Sequence, residues 1–94
     1  MEGQASISTD ILARYAADAA GEVEGVRSLG RRGVKVAEED GAVRVELHLT
    51  VDWGASIPEI GRTVQARVRE YLGRMADVEP RAVDVVVDEV GSSA

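Results

Sequence analysis

Apolar and polar residues alternate without exception between positions 43 and 53. The odd positions are all apolar and the even positions all polar, a series that sets Val43, Val45, Leu47, Leu49, Val51 and Trp53 against Arg44, Glu46, His48, Thr50 and Asp52. Period-two alternation is typical of a strand with one face on a core and the other in water. Because this one-sided pattern is common in antiparallel sheets, we expect a mostly antiparallel sheet that is covered on one face.

A shorter strand and a tight turn are expected just before this segment. Val34 and Val36 alternate with polar residues, and the acidic run 38–40 leads into Gly41. Asp-Gly is a favoured pair for a two-residue hairpin connection, so we predict a turn at Asp40-Gly41. Residues 30–33 hold two arginines between glycines, and we interpret them as a flexible connection.

A capped helix follows the long strand. Ser56 precedes Glu59 by three residues, the spacing of a capping box, and Pro58 is tolerated in a first helical turn. Apolar residues then recur at helical spacing and predict a face toward the sheet, made of Ile57, Ile60, Val64, Val68, Tyr71, Leu72 and Met75. Pro80 marks a break, and the alternation over 82–90 predicts a final strand.

The amino-terminal third predicts a second helix with a smaller apolar face. Ser8 is a suitable N-cap, Asp10 suits the positive end of the helix dipole, and Gly21 or Gly25 ends the helix. The expected interior face consists of Ile11, Leu12, Tyr15, Ala16, Ala19 and Val23. The sequence also allows a short strand over residues 5–7.

Together these elements predict an α+β two-layer sandwich. We expect a three- to four-stranded, mostly antiparallel sheet with two helices packed on one face. The 94 residues suffice for one domain, which we assign to residues 1–90, with residues 91–94 as a short disordered tail. A core this small and aliphatic would gain stability from dimerisation.

Composition excludes several classes of function. The chain has no cysteine, which rules out disulfides and thiolate catalysis and fits a reducing compartment. No stretch approaches the roughly 20 apolar residues that span a bilayer, and no signal-peptide pattern opens the chain. We therefore expect a soluble, cytoplasmic protein.

Positive charge is concentrated in two blocks of a chain whose net charge is -6. The candidate interaction residues come from these blocks: Arg31, Arg32 and Lys35 before the long strand, and Arg62, Arg67, Arg69 and Arg74 on the second predicted helix. Helical spacing directs Arg62 and Arg69 away from the apolar stripe, whereas Arg67 and Arg74 flank it. Glu70 and Arg74 have the spacing of a helical ion pair. These positive residues allow three interpretations. They belong to a solvated helix face, to an interface for a protein or acidic polymer, or to a surface that binds nucleic acid.

No combination of residues indicates catalysis. His48 is expected to be an exposed strand histidine, since a metal needs several convergent ligands and a general base needs an orienting partner. Asp84 and Asp88 could join it only if the strand order brings them together. The acidic run 38–40 could hold a hard cation, but a hairpin turn accounts for it. We predict no enzyme activity, no catalytic or metal-binding residues and no cofactor.

A series of short sequence segments, in a fixed order along the chain, resembles the sequences of a known family. They are Ile7-Ser8, Gly25-Val26, the residues 33–36, the strand residues 45–49, Gly54, the run 57–59, Val64-Gln65 and Val68. Through these segments the chain resembles the alkaline shock protein family, whose members are also called envelope stress response proteins. The resemblance implies a small cytoplasmic protein of Gram-positive-type bacteria that self-associates, lies at the inner face of the membrane through a separate anchor protein, and serves cell-envelope homeostasis. It implies no enzymatic activity.

Two functions of different class follow. The first is a non-enzymatic interaction protein that forms homo-oligomers and binds an envelope-associated partner, without inserting into the membrane itself. The alternative is a module for a small acidic ligand or nucleic acid, centred on Arg31, Arg32 and Lys35.

Overall fold

The computed structural model describes residues 7–92, with the backbone alone at residues 30–32. Over this range the chain forms two helices and three strands in the order α1 (Thr9–Gly21), β1 (Val26–Glu39), β2 (Ala42–Val51), α2 (Ile57–Ala76) and β3 (Ala82–Val90). β2 lies between β1 and β3, and the helices cover one face of the sheet. The predicted two-layer α+β fold is confirmed.

The sheet is mixed. β1 and β2 are antiparallel, as the hairpin predicts, but β3 runs parallel to β2. The reason is α2, whose 20 residues form a crossover that returns the chain to the start of β2. The alternation in β2 could not reveal this direction, because it reports only that one face of the sheet is left without helices.

The core lies between the helices and the odd-numbered residues of β2. Its fully buried side chains include Leu47, Leu49 and Leu72, and α1 contributes small residues such as Ala16 and Ala20. Four residues that were expected inside are instead exposed: Ile11, Trp53, Ile57 and Met75. They lie in the first or last turn of a helix or beyond the end of β2, where the opposing layer no longer covers them.

The predicted N-caps and the hairpin turn are confirmed, but the capping box is only half formed, since among the described residues Glu59 accepts no bond from the Ser56 amide. Ser8 accepts a hydrogen bond from the Ile11 amide at 3.3 Å, and Ser56 accepts one from the Glu59 amide at 3.4 Å. α1 ends at Gly21. The two residues between β1 and β2 are Asp40-Gly41, and both have positive φ, 51° and 78°, as a type I′ hairpin turn requires.

The run 30–33 is not a flexible connection between elements but part of β1. Leu29 pairs with Leu49 and Val34 with Leu47, so five steps along β1 match two along β2. The extra residues form an irregular bulge that breaks the period of two, which is why the sequence predicted a shorter strand.

Two terminal predictions lie largely outside the described range. The strand allowed over 5–7 falls mainly on residues that the structure does not describe, and so does the end of the expected tail, residues 93–94. Gly91 belongs to the folded part, since its amide donates a 2.7 Å hydrogen bond to the Val51 carbonyl.

Candidate protein-interaction surfaces

A groove of about 770 Å³ separates the carboxyl end of α1 from one flank of α2. Its apolar lining comes from Ala19, Val23, Ile60 and Tyr71. The charged residues around it are Glu22, Glu24, Glu59, Arg62, Arg67, Glu70 and Arg74. Ala19, Val23 and Ile60 are almost fully buried, so the accessible lining is mainly charged and polar, with the half-buried Tyr71 as its aromatic part. We call this feature the helix groove.

The helix groove brings together Arg62, Arg67 and Arg74. The guanidinium carbon of Arg74 lies 5.5 Å from the centre of the Tyr71 ring, and Tyr71 meets Tyr15 edge-to-face with 5.8 Å between ring centres. Within residues 7–92, no carboxylate lies within ion-pair distance of these arginines, and the predicted Glu70–Arg74 pair does not form. A cation over an aromatic face is an alternative to that pair, and it leaves the charge of Arg74 available to a partner.

The other candidate residues lie elsewhere. Arg69 donates from Nη1 to the Pro80 carbonyl at 2.8 Å, so it fastens α2 to the segment before β3. Lys35 of β1 lies opposite Glu46 of β2 in the strand register. Arg31 and Arg32 lie in the bulge of β1, in the part where the structure describes only the backbone. A ligand site that combines Lys35 with these two arginines stays a prediction.

His48 is buried, contrary to the prediction of an exposed histidine. Its side chain is only 4% exposed, although it lies on the sheet face without helices. Nε2 is 2.6 Å from Glu46 Oε2, and Nδ1 is 3.0 Å from Asp88 Oδ2. The parallel pairing of β3 brings Asp88 to the histidine, and a register shift lies beside it, between Leu49 and Thr50.

Among the described residues, Asp84 forms no ion pair with His48. In the strand register it lies opposite Glu46, and Val86 lies opposite His48. Sequence reasoning named both aspartates as possible partners of His48. Only the strand order and register, which are non-local, select Asp88.

The two carboxylates raise the pKa of His48 above its usual value. The hydrogen bond to Glu46 is the largest cause, burial of the ring opposes it, and the hydrogen bond and negative charge of Asp88 add to it. The imidazolium form can donate from both ring nitrogens. The bond from Nε2 to Glu46 stays within β2, and the charge-assisted bond from Nδ1 to Asp88 links β2 to β3.

The raised pKa predicts a pH-dependent stability. The folded state holds the proton more tightly, so the stabilisation is complete below the unfolded pKa of about 6.5 and is lost as the pH rises through the folded value. We expect the melting temperature of the wild type to exceed that of His48→Gln most at pH 6, and by a smaller margin at each higher pH up to 9. Thermal melts of both proteins over this range are the measurement. A difference that grows with rising pH would contradict the assignment.

The His48 cluster is a poor catalytic or metal site. Both ring nitrogens lie at hydrogen-bond distance from carboxylates, so neither is open to a substrate or a metal ion. In the described part of the chain, no three His, Cys, Asp or Glu side chains converge on a point that could hold a metal ion. No helix among the described residues is both long and apolar enough to cross a membrane.

The fold and these surfaces define a small α+β domain that offers a charged groove between two helices. The chain belongs to the alkaline shock protein 23 family, which is described as having a cell envelope-related function, because the model of that family matches residues 29–92. The resemblance to the alkaline shock protein family is thereby confirmed.

The chain is also similar to two curated proteins and to solved structures. The chain is 28% identical to the uncharacterized protein Spy1535 of Streptococcus pyogenes serotype M6, over 94% of this chain and 79% of that protein. It is 25% identical to the uncharacterized protein YqhY of Bacillus subtilis, over 88% and 73%. A copper form of the MamM CTD has a TM-score of 0.69 at 19% identity, covering 90% of this chain and 100% of that one. At this identity the likeness shows the fold alone.

Proposed function

We propose that this protein is a non-enzymatic interaction module that associates with copies of itself and contributes to cell-envelope homeostasis through protein partners. The observation that carries the proposal is the helix groove, where Arg62, Arg67 and Arg74 have no carboxylate partner in the described chain. Arginine beside an aromatic ring is a frequent combination in protein interfaces.

A second copy offers a surface of opposite charge. Glu38, Glu39 and Asp40 are exposed at the tip of the β1–β2 hairpin, and within the described residues none of them forms an ion pair. The hairpin tip of one copy can therefore bind the arginines of the helix groove in another. Contacts between exposed charges are weak and screened by salt, so this association is concentration-dependent and strongest at low ionic strength.

The envelope role rests on the family. A protein of a cell envelope-related family in which neither described helix can cross a membrane fits a peripheral position at the inner face of the membrane. In the proposal a separate anchor protein supplies that attachment, and the helix groove or the hairpin tip binds it.

Charge reversal in the helix groove tests the proposal. We expect Arg67→Glu together with Arg74→Glu to weaken self-association about tenfold, since each reversed contact contributes up to about 1 kcal/mol and tenfold corresponds to about 1.4 kcal/mol. The matched control is Arg14→Glu with Arg81→Glu, which changes the net charge equally at exposed positions outside the groove. Sedimentation velocity at low salt measures the self-association of the groove variant and of the control variant.

An equal effect of the two double variants would show that net charge, and not the helix groove, controls association. That result would contradict the proposal. Unchanged association in the groove variant would also contradict it.

A further inference from the structure

The outer edge of β3 has no neighbouring strand within the described chain. The sheet order is β1-β2-β3, so β3 is paired on one side only. An open edge presents N–H and C=O groups that can pair with another extended chain. Natural proteins usually cover or disrupt such an edge, so its surroundings decide whether it is blocked or available.

α2 covers the beginning of this edge and not the rest. Gln65 donates from Nε2 to the Val83 carbonyl at 3.0 Å, and Arg69 binds the Pro80 carbonyl. From Val85 to Val90, no α2 side chain within the described range donates a hydrogen bond to the strand. We call residues 85–90 the open β3 segment.

The open β3 segment exposes two valines beside the acidic Asp88 and Glu89. Val86 is 38% exposed and Val90 is 48% exposed. Exposed β-branched residues on an unpaired strand favour pairing, because they fit the surface of a pleated sheet and lose water when a strand is added. This part of β3 therefore has backbone groups and side chains for strand addition, with one irregularity at Asp88, where β3 has an extra residue relative to β2.

The charged residues near the open β3 segment indicate which kind of strand can bind there. Asp84, Asp88 and Glu89 are acidic, and no lysine or arginine occurs between residues 82 and 94. The guanidinium of Arg27, beside Gly91, is a cation that the structure places at the end of the segment. Asp88 is bound to His48, whereas Asp84 and Glu89 form no ion pair within the described residues. An added strand with lysine or arginine at alternating positions would place its cations beside these two carboxylates.

A second copy of this chain does not fit the edge. Pairing β3 with another β3 sets acidic side chains against each other, which is destabilising. The basic half of β1 contains the bulge between Leu29 and Val34, so it cannot form a regular ladder over the required length.

We propose that the open β3 segment binds an extended, lysine- or arginine-bearing segment of a partner protein by strand addition. Main-chain hydrogen bonds to β3 supply affinity, and the cations of the partner, beside Asp84 and Glu89, supply selectivity. This site is separate from the helix groove, so the two proposals stand or fall independently.

Three peptides test strand addition on the unaltered protein. The probe is an eight-residue peptide in which lysine alternates with valine and threonine. One control is the same peptide N-methylated at alternate residues, which removes N–H donors, and the other has glutamate for lysine. Amide NMR spectra and hydrogen exchange are the measurements. We expect the lysine peptide to shift and protect amides within residues 85–90, and we expect neither control to do so.

Protein variants test the charge selectivity. We expect Asp84→Lys with Glu89→Lys to weaken binding of the lysine peptide at least tenfold. The matched reversal is Asp18→Lys with Glu79→Lys, at exposed positions outside the helix groove and the open β3 segment, and we expect it to change binding less than twofold.

Two results would overturn the proposal. One is that the N-methylated peptide binds as tightly as the lysine peptide, and the other is that amide shifts spread over all acidic surfaces of the protein. Amides of residues 85–90 that become protected at high protein concentration without peptide would also overturn it, because a second copy would then occupy the edge.

Discussion

Replacing Leu72 with alanine is expected to lower the free energy of unfolding by about 3 kcal/mol. The Leu72 side chain is fully buried in α2, and it belongs to the same core as Leu47 and Leu49 of β2. Truncation removes buried apolar surface and leaves a cavity that the surrounding strands and helix can fill only in part. Since small domains are stable by only 5 to 15 kcal/mol, roughly, this is a large share of the total.

Met75→Ala is the matched control for Leu72→Ala. Met75 lies almost one turn further along α2 and is 45% exposed, so its truncation is expected to cost less than about 1 kcal/mol. Urea denaturation of both variants, with an unchanged dependence on urea concentration, is the measurement. Similar losses in the two variants would contradict the assignment of the core.

Gly25→Ala is expected to cost about 3 kcal/mol for two separate reasons. Gly25 has φ +99°, a conformation that alanine adopts only with strain. A Cβ at this position would also lie 2.7 Å from Ile60 Cδ1, so the end of the Ile60 side chain must move, which adds a smaller cost to the backbone strain. Gly21→Ala is the control, because a Cβ there would meet nothing within 4 Å and Gly21 is not among the glycines with positive φ. Chemical denaturation should show little change for it.

A double variant separates the two costs of Gly25→Ala. Ile60→Val removes the Cδ1 atom and costs about 1 kcal/mol by itself. If the overlap contributes, Gly25→Ala combined with Ile60→Val is less destabilised than the sum of the single variants, and the remainder is backbone strain. Strict additivity would assign the whole effect to the backbone, and a neutral Gly25→Ala would contradict both causes.

The parts of the fold that sequence could predict are those set by local chemistry. Alternation in β2 and the helical spacing in α2 reflect burial of one face, and each is visible within a single element. The Asp40-Gly41 turn and the caps at Ser8 and Ser56 depend on a few adjacent residues. These predictions are confirmed because no distant contact was needed to make them.

The parts that sequence missed depend on contacts between distant segments. The direction of β3 follows from the crossover of α2, and the burial of His48 follows from the register that brings in Asp88. The length of β1 was underestimated because the bulge before Val34 interrupts the period of two. The exposure of Trp53, 64%, reflects where β2 ends and not the pattern to which it belongs.

For the candidate interaction residues too, local spacing could be predicted from the sequence and distant contacts could not. Helical spacing alone placed Arg67 and Arg74 beside the apolar stripe of α2, and both line the helix groove. The contact of Arg69 with Pro80 and that of Arg74 with Tyr71 depend on packing that the sequence does not display. The assignment of residues 1–90 to one domain stays a prediction.

Sedimentation velocity of the unaltered protein over a range of concentrations tests the central proposal most directly. At low salt we predict that the weight-average mass rises with concentration above the 10.0 kDa of one chain and returns toward that value at high salt. A mass that stays at 10.0 kDa at every concentration and at both salt levels would contradict self-association through the helix groove.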